Sequence, residues 1–421
     1  MFLKSRFEHE IKRLGELARI PLRLELWDGR RYDLSASPTV TVAIPQPSAL
    51  QYFISPDLNK LGEAFVEGRI RVEGSIHEVF KAAEGLARAA AGSTRGRFGR
   101  AGRHNRDQDR KAIEYHYDVS NDFYALFLDR NMVYSCAYFR REDDSLDVAQ
   151  AQKLDHILNK LALKPGDSFL DIGCGWGALI RRAAQRGALA TGITLSKNQY
   201  EYASERIRAE GLQERCTVEL RDYRDLPVAA RFDKIASVGM FEHVGLEKLP
   251  EYFAKMHALL EDGGLVLNHG ITTSDVDNRA AGLGAGEFID RYVFPDGELP
   301  HIALVLKEMS VAGLEVADVE SLRRHYARTC HEWASRIEAR RGEAERLAGE
   351  KRARIWRIYL AGCAYGFANG WMNVYQALAC KNLGVATALP LTRDYIYTAP
   401  PQRFGRPSST VGPSFEDAAR S

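Results

Sequence analysis

Leu170-Asp171-Ile172-Gly173-Cys174-Gly175-Trp176-Gly177 decides the fold. The apolar run that leads into it, DSFLDI from Asp167, reads as a strand ending in a glycine loop, and ALIRRAAQRG (178–187) reads as the helix that follows. Glycines allow so sharp a passage from strand to helix and let a ligand come close to the backbone. In open α/β sheets ligands bind at the carboxyl ends of the strands. Outward from this point, ALATGITLS (188–196) is the next strand and KNQYEYASERIRAEGL (197–212) the next helix. CTVELRDY (216–223), KIASVGMFEHV (234–244) and GLVLNHGI (264–271) are further strands. Strands separated by helices imply an α/β fold with a parallel sheet covered on both faces. From 321 to about 381 the chain reads helical.

At 421 residues the expectation is two domains plus a tail. Residues 1–90 read as a small α+β unit. A helix carries apolar residues at Phe2, Leu3, Phe7, Ile11, Leu14 and Leu17, and two short strands flank an Asp28-Gly29 turn. Residues 91–111 are rich in Gly, Ser and Arg, with seven Arg/Lys against two Asp from 95 to 111. They read as a solvated linker or as a basic strap that meets anionic lipid. Residues 112–398 form the main domain, and 399–421 are a Pro/Ser/Gly-rich tail with no visible core.

A formal charge of +2 and a pI near 8.1 do not call for nucleic acid. The six cysteines form no C-x-x-C pair, so neither a metal site nor a disulfide framework is expected, and reduced thiols in a cytoplasm fit. The first twenty residues lack a signal-peptide core, and no uncharged apolar run approaches the ~20 residues of a membrane span. Any lipid contact is therefore expected to be peripheral.

The spacing D-x-G-x-G-x-G departs from the dinucleotide pattern. It resembles motif I of the class I S-adenosylmethionine-dependent methyltransferases. In that resemblance Asp171 sits beside the methionine ammonium, where an opposite charge is favourable. The second strand ends T-G-x-T-L-S-x-x-Q (191–199), with neutral groups where an acid is usual. Ser196 there is also a good helix cap.

Further blocks resemble the cyclopropane-fatty-acid and mycolic-acid cyclopropane synthase family: YHYDVSNDFY (115–124), MVYSCAYF (132–139), RDYRDL (221–226), SVGMFEHVG (237–245) and FIDRYVFPDGELP (288–300). LGEAFVEGRIRVEG (61–74) looks like the small N-terminal domain of the phospholipid-acting members. The resemblance implies a Rossmann-like sheet with a helical cap and S-adenosylmethionine as cofactor. It implies unsaturated phospholipid acyl chains as substrate, a peripheral site of action at the inner membrane face, and a homodimer joined through the N-terminal domains. Cofactor contacts carried over are Tyr134, Ser135, Asp171, Gly173, Cys174, Gly175, Gly177, Thr194, Leu195, Ser196, Gln199, Asp222 and Tyr223.

The implied chemistry begins with a sulfonium methyl and an alkene. Transfer leaves a carbocation on the chain, and a proton must leave the new methyl for a ring to close. Aromatic faces stabilise a nearby cation, and Tyr115, Tyr117, Tyr134, Tyr138, Tyr292 and Tyr326 are candidates. The family holds a bicarbonate as the base. Its ligands fall on Cys136, Glu242, His269, Ile271 (through the backbone) and Tyr326, which orient and charge-tune it. Alternatives stay open: Cys136 as a small buried hydrophobe or a thiolate nucleophile, Glu242-His243 as a helix start, His269 as a core histidine. His243 has no assigned role. Asn268, Gly270, the glycine-rich AAGLGAGEFIDRY (280–292) and Cys330-His331 depart from the family pattern. The rival readings are an acyl methyltransferase giving a methyl-branched or methylene product, an amine methyltransferase, and a cofactor-binding protein without turnover.

Overall fold

A computed structural model describes residues 2–91, 119–227, 229–277, 285–293, 297–381 and 389–398. The expected basic strap from 92 onward, Tyr115 and Tyr117, and the tail from 399 lie outside the described residues.

The N-terminal unit contains α1 (Phe2–Leu17), β1 (Leu22–Leu26), β2 (Arg31–Asp33), β3 (Val40–Ile44), α2 (Leu58–Val66), β4 (Arg71–Glu73) and α3 (Ile76–Ala91). Its sheet runs β2-β1-β3-β4, with β1 and β3 parallel. Both central strands alternate buried and half-buried residues, so Leu22, Leu24 and Leu26 face the core beside Val40, Val42 and Ile44. Phe7, Ile11 and Leu14 of α1 are buried as the helical spacing requires, whereas Leu3 and Leu17 are exposed. The sequence reading passed over β3, whose V-x-V-x-I alternation is short and bounded by Pro38 and Pro45.

The main domain is built on a seven-stranded sheet. Its elements are α4 (Leu146–Lys160), β5 (Ser168–Ile172), α5 (Ala178–Gln185), β6 (Leu189–Thr194), α6 (Lys197–Ala209), β7 (Cys216–Leu220), β8 (Phe232–Val238), α7 (Leu249–Leu259) and β9 (Leu260–Thr273). They continue with α8 (Ala285–Tyr292), α9 (Ile302–Val311), β10 (Leu314–Ser321), α10 (Arg323–Ala339), α11 (Glu350–Ala368) and β11 (Met372–Lys381). The strand order is β10-β11-β9-β8-β5-β6-β7, and the last five are parallel. The chain runs outward from β5 through β6 to β7, then returns to β8 on the other side. That reversal opens a crevice at the carboxyl ends of β5 and β8.

Residues 372–381 correct the helical reading. They form β11, antiparallel between β9 and β10. Val374, Gln376, Ala377, Leu378, Ala379 and Cys380 are all buried, so both faces of the strand are covered. Such a strand shows no alternation, and periodicity alone does not separate it from a buried helix.

Two devices position the site. On α4, Asp155 accepts two hydrogen bonds from Arg182 of α5 at 2.8 and 2.7 Å, clamping α4 against α5. The N-terminal unit packs on the cap helices α8, α10 and α11 through one shared apolar core. The ring of Phe288 lies so close to Gly62 that a Cβ there would fall 2.8 Å from it. Tyr365 donates to Glu84 at 3.1 Å, and His331 stacks on His77 at 4.0 Å. The last contact accounts for a histidine where the family pattern has an apolar residue. Among the described residues no helix is long and apolar enough to cross a membrane.

Candidate active site

The crevice at the switch point is a cavity of about 520 Å³. Gly173, Gly175 and Gly177 have φ of 80°, 54° and 80°, the left-handed region that glycine enters without strain. The loop is held down by the N–H groups of Gly173 and Cys174, which both donate to the Ile193 carbonyl of β6. Gly192 makes this approach feasible, since a Cβ there would meet Cys174 Sγ at 2.8 Å.

Of the thirteen cofactor positions carried over, Tyr134, Ser135, Asp171, Gly173, Cys174, Gly175, Thr194, Leu195, Gln199, Asp222 and Tyr223 line the cavity. Gly177 and Ser196 stand behind it. Gly177 leaves room for Ala203 of α6, 2.9 Å from where a Cβ would be. Ser196 caps α6, its hydroxyl accepting from Gln199 N. The side chains of Thr194 and Gln199 meet at 2.8 Å. Asp222 is held by Arg224, whose Nε donates to it at 2.9 Å. Asp171 is buried at the end of β5, and its Oδ1 has no partner. Burial pushes its carboxyl up to about 7, with the nearby Lys153 ammonium opposing the shift.

The five candidate catalytic residues lie outside the lining of this cavity, in two groups. Glu242 sits in a short turn after β8, and its Oε1 accepts from Ile271 N–H at 2.7 Å. Its Oε2 is buried without a partner. Burial pushes the carboxyl up to about 7, against the Ile271 hydrogen bond. His269 is on the same strand as Ile271, and its backbone carbonyl accepts from Gly239 N–H at 2.7 Å. Its Nδ1 lies 3.1 Å from Gln376 Nε2, and its Nε2 has no partner. Burial holds its pKa well below the ordinary value, so the ring is neutral. Cys136 and Tyr326 form the second group. Cys136 Sγ lies 3.7 Å from the Leu322 carbonyl, which also accepts from Tyr326 N–H. The thiol is fully buried and its pKa is pushed up by desolvation, which leaves little thiolate for nucleophilic attack.

Tyr134 connects the cavity to an aromatic cluster. Its ring lies 5.6 Å from Tyr124, 5.1 Å from Trp333 and 6.0 Å from Trp356. Tyr326 joins the cluster through Trp333 at 6.0 Å. Tyr138 instead stacks between His156 and His325, and Tyr292 is buried beside Phe288.

Two departures from the family pattern have a structural basis. Gly270 leaves the space that Phe241 fills, since a Cβ there would fall 2.2 Å from the ring. Asn268 lies within hydrogen-bond reach of the buried Tyr252 hydroxyl, at 3.2 Å. The first contact supports the turn that carries Glu242, and the second ties β9 to α7. The sequence reading missed Lys153, Trp176 and Met240 in the cavity wall, and His243, which it left unassigned, is there too. Trp176 belongs to the glycine motif and donates to Asn121 of the YHYDVSNDFY block at 2.8 Å, a link the two motifs could have suggested. Nothing in the local pattern marks Lys153.

The family model described as mycolic acid cyclopropane synthetase matches residues 104–377, and a domain of unknown function matches residues 11–93. The chain is 50% identical over 380 residues to a protein of Pseudomonas putida named "Probable fatty acid methyltransferase", covering 90% of this chain and 96% of that one. The cyclopropane synthase MmaA2 from Mycobacterium tuberculosis superposes with a TM-score of 0.62 at 37% identity, over 65% of this chain and 98% of its own. The mycolic acid cyclopropane synthase CmaA1, solved with SAH and CTAB, gives 0.61 at 37% identity over the same shares. The sheet is accordingly that of the class I S-adenosylmethionine-dependent methyltransferases. With residues 104–377 matched by its model, the chain belongs to the mycolic acid cyclopropane synthetase family, whose members transfer a one-carbon unit from S-adenosylmethionine to lipids.

Proposed function

We propose that this chain adds a methylene bridge to the cis double bond of unsaturated acyl chains in membrane phospholipids, making a cyclopropane ring. The observation that carries the reading is a set of three buried polar atoms without partners: Asp171 Oδ1, Glu242 Oε2 and His269 Nε2. Asp171 lines the cavity, while Glu242 and His269 lie outside its lining and are tied together by the Ile271 N–H that Glu242 accepts from β9; a buried polar atom that the fold leaves bare is open to a ligand. The residues fit the two groups the family uses. Asp171 offers an anion to the methionine ammonium of S-adenosylmethionine, and the glycine loop leaves room for its backbone-hugging end. Glu242 offers an acceptor and neutral His269 a ring nitrogen, a set that suits a small anion carrying one hydrogen, such as bicarbonate.

When bound, the first supplies an electrophilic methyl and the second a base. The chain's own residues do the rest. Tyr134 and the aromatic rings behind it present electron-rich faces to a cation on the acyl chain, worth about 2 kcal/mol where water is excluded. Glu242 accepts a hydrogen bond from the base and raises its pull on the proton. The Ile271 N–H fixes the carboxylate that does so. Cys136 and Tyr326 complete the ligand set from the side of α10.

The N-terminal unit favours phospholipid over a small soluble substrate, because an amine of that kind needs no additional module. The protein is proposed to act peripherally on the cytoplasmic face of the membrane and to pair through its N-terminal units. A second reading has one specific support, the name of the Pseudomonas putida relative. In it the methyl is transferred but the ring does not close. The test is the lipid profile of bacteria expressing the chain. Acyl chains one methylene heavier and free of unsaturation are expected. Chains of that mass that keep an olefin, or chains two hydrogens heavier that carry a methyl branch saturated by a cellular reductant, would assign the second reading. Unchanged lipids would overturn both.

A further inference from the structure

We infer that Lys153, paired with the carried-over cofactor contact Ser135, holds the carboxylate at the amino-acid end of the cofactor. This rests on the reading that the cavity holds S-adenosylmethionine. Lys153 lies on α4 and is 2% exposed, yet it lines the cavity. A buried ammonium is costly unless it is paired. Among the described residues its one hydrogen-bond partner is the Ser135 hydroxyl, at 2.9 Å. An ammonium has three donors, and a hydroxyl takes one of them.

The acids around Lys153 do not take the others. Asp129 accepts from the Val133 and Asn131 backbone N–H groups at 2.8 and 2.9 Å. Asp171 stands in the same cavity wall with its Oδ1 unpartnered. Cys136 is a buried neutral thiol. Burial pushes Lys153 down to about 8, with Asp129 and Asp171 opposing, so it stays largely charged at neutral pH. Ser135, having accepted from Lys153, keeps its own hydrogen free to donate. The wall therefore presents two kinds of donor beside an orphaned carboxylate. A zwitterionic α-amino acid matches that pattern, since its carboxylate and ammonium are attached to one carbon.

The helix also fixes the subsite's geometry. Gln150, one turn before Lys153, donates to the Val133 and Ser135 carbonyls at 3.3 and 2.9 Å. One face of α4 thus fixes the strip of chain that runs from the cavity to Cys136. A purely structural role for Lys153, pinning that strip, is the competing account, and two ligands distinguish it. S-adenosylhomocysteine carries the amino-acid end, and 5′-methylthioadenosine carries the nucleoside and thioether without it.

Binding of both to the full chain is measured by calorimetry. Lys153→Met is expected to weaken S-adenosylhomocysteine by about 10- to 100-fold, the cost of one charged hydrogen-bond partner. It should leave 5′-methylthioadenosine within about 2-fold. Should Lys153→Met fail to fold, Lys153→Gln, which keeps a donor for Ser135 but removes the charge, carries the same test and should show the same selective loss. Equal weakening of the two ligands, or no change in either, would overturn the assignment. If the wild-type chain bound neither ligand, the cofactor reading itself would fall, and the subsite with it.

Discussion

Glu242→Gln is expected to lower turnover by about 100- to 1,000-fold, the usual effect of removing one preorganised electrostatic partner, while S-adenosylhomocysteine binds as before. Glutamine keeps an oxygen for the Ile271 N–H, so the turn after β8 stays in place. It loses the charge and can set an N–H where Oε2 now stands bare. A base whose hydrogen needs an acceptor there loses it. The pH dependence gives a second readout. Burial holds Glu242 at about 7, so the carboxylate forms as pH rises through that value. The kcat/KM of the wild type should climb across the same range, and the variant should lose that limb. Stability moves the other way. The folded protein binds this proton more tightly than the unfolded chain, so the wild type loses stability as pH rises from its unfolded value near 4.5 to about 7. Glutamine removes that loss, so above neutral pH the variant should melt no lower than the wild type. Near-normal turnover would remove Glu242 from the mechanism.

Asp171→Asn acts on binding rather than chemistry. The expected result is a rise of about 10- to 100-fold in the Kd for S-adenosylhomocysteine, the worth of a charged hydrogen bond to the ammonium. Burial holds this carboxyl at about 7, so much of it is protonated at neutral pH. Affinity should therefore increase as pH rises through about 7, because only the ionised form offers a full charge. Asparagine should flatten that slope. An unchanged Kd would place the amino-acid end of the cofactor elsewhere.

The two variants separate what was legible in the sequence from what was not. The glycines announce themselves, because a sharp strand-to-helix turn demands them at that spacing, and Asp171 follows from the resemblance of the motif they belong to. Glu242 and His269 came into view through the resemblance of FEHVG and NHGI to the family blocks, and the structure places Glu242 in the turn after β8 and His269 within β9 rather than at its end. What the sequence hid was long-range. β11 is covered on both faces, so its residues carry no period, and its place between β9 and β10 depends on pairing with strands about fifty to over a hundred positions away. β3 is too short to stand out until β1 pairs with it. Lys153 sits in an unremarkable helix, and only the fold reveals that it points inward, beside Ser135. Gly270 and His331 looked like departures from a pattern, yet Phe241 and His77 supply the reason for each.

The account stands on a methyl that is transferred to an acyl double bond and then gives up a proton. Its most direct test incubates the purified chain with cis-monounsaturated phospholipid vesicles, bicarbonate and S-adenosylmethionine deuterated at the methyl. Mass spectra of the released acyl chains are then read for deuterium and for remaining unsaturation. The prediction is acyl chains that keep two of the three deuterons and have no double bond. Chains without deuterium, or with all three deuterons retained, would contradict it.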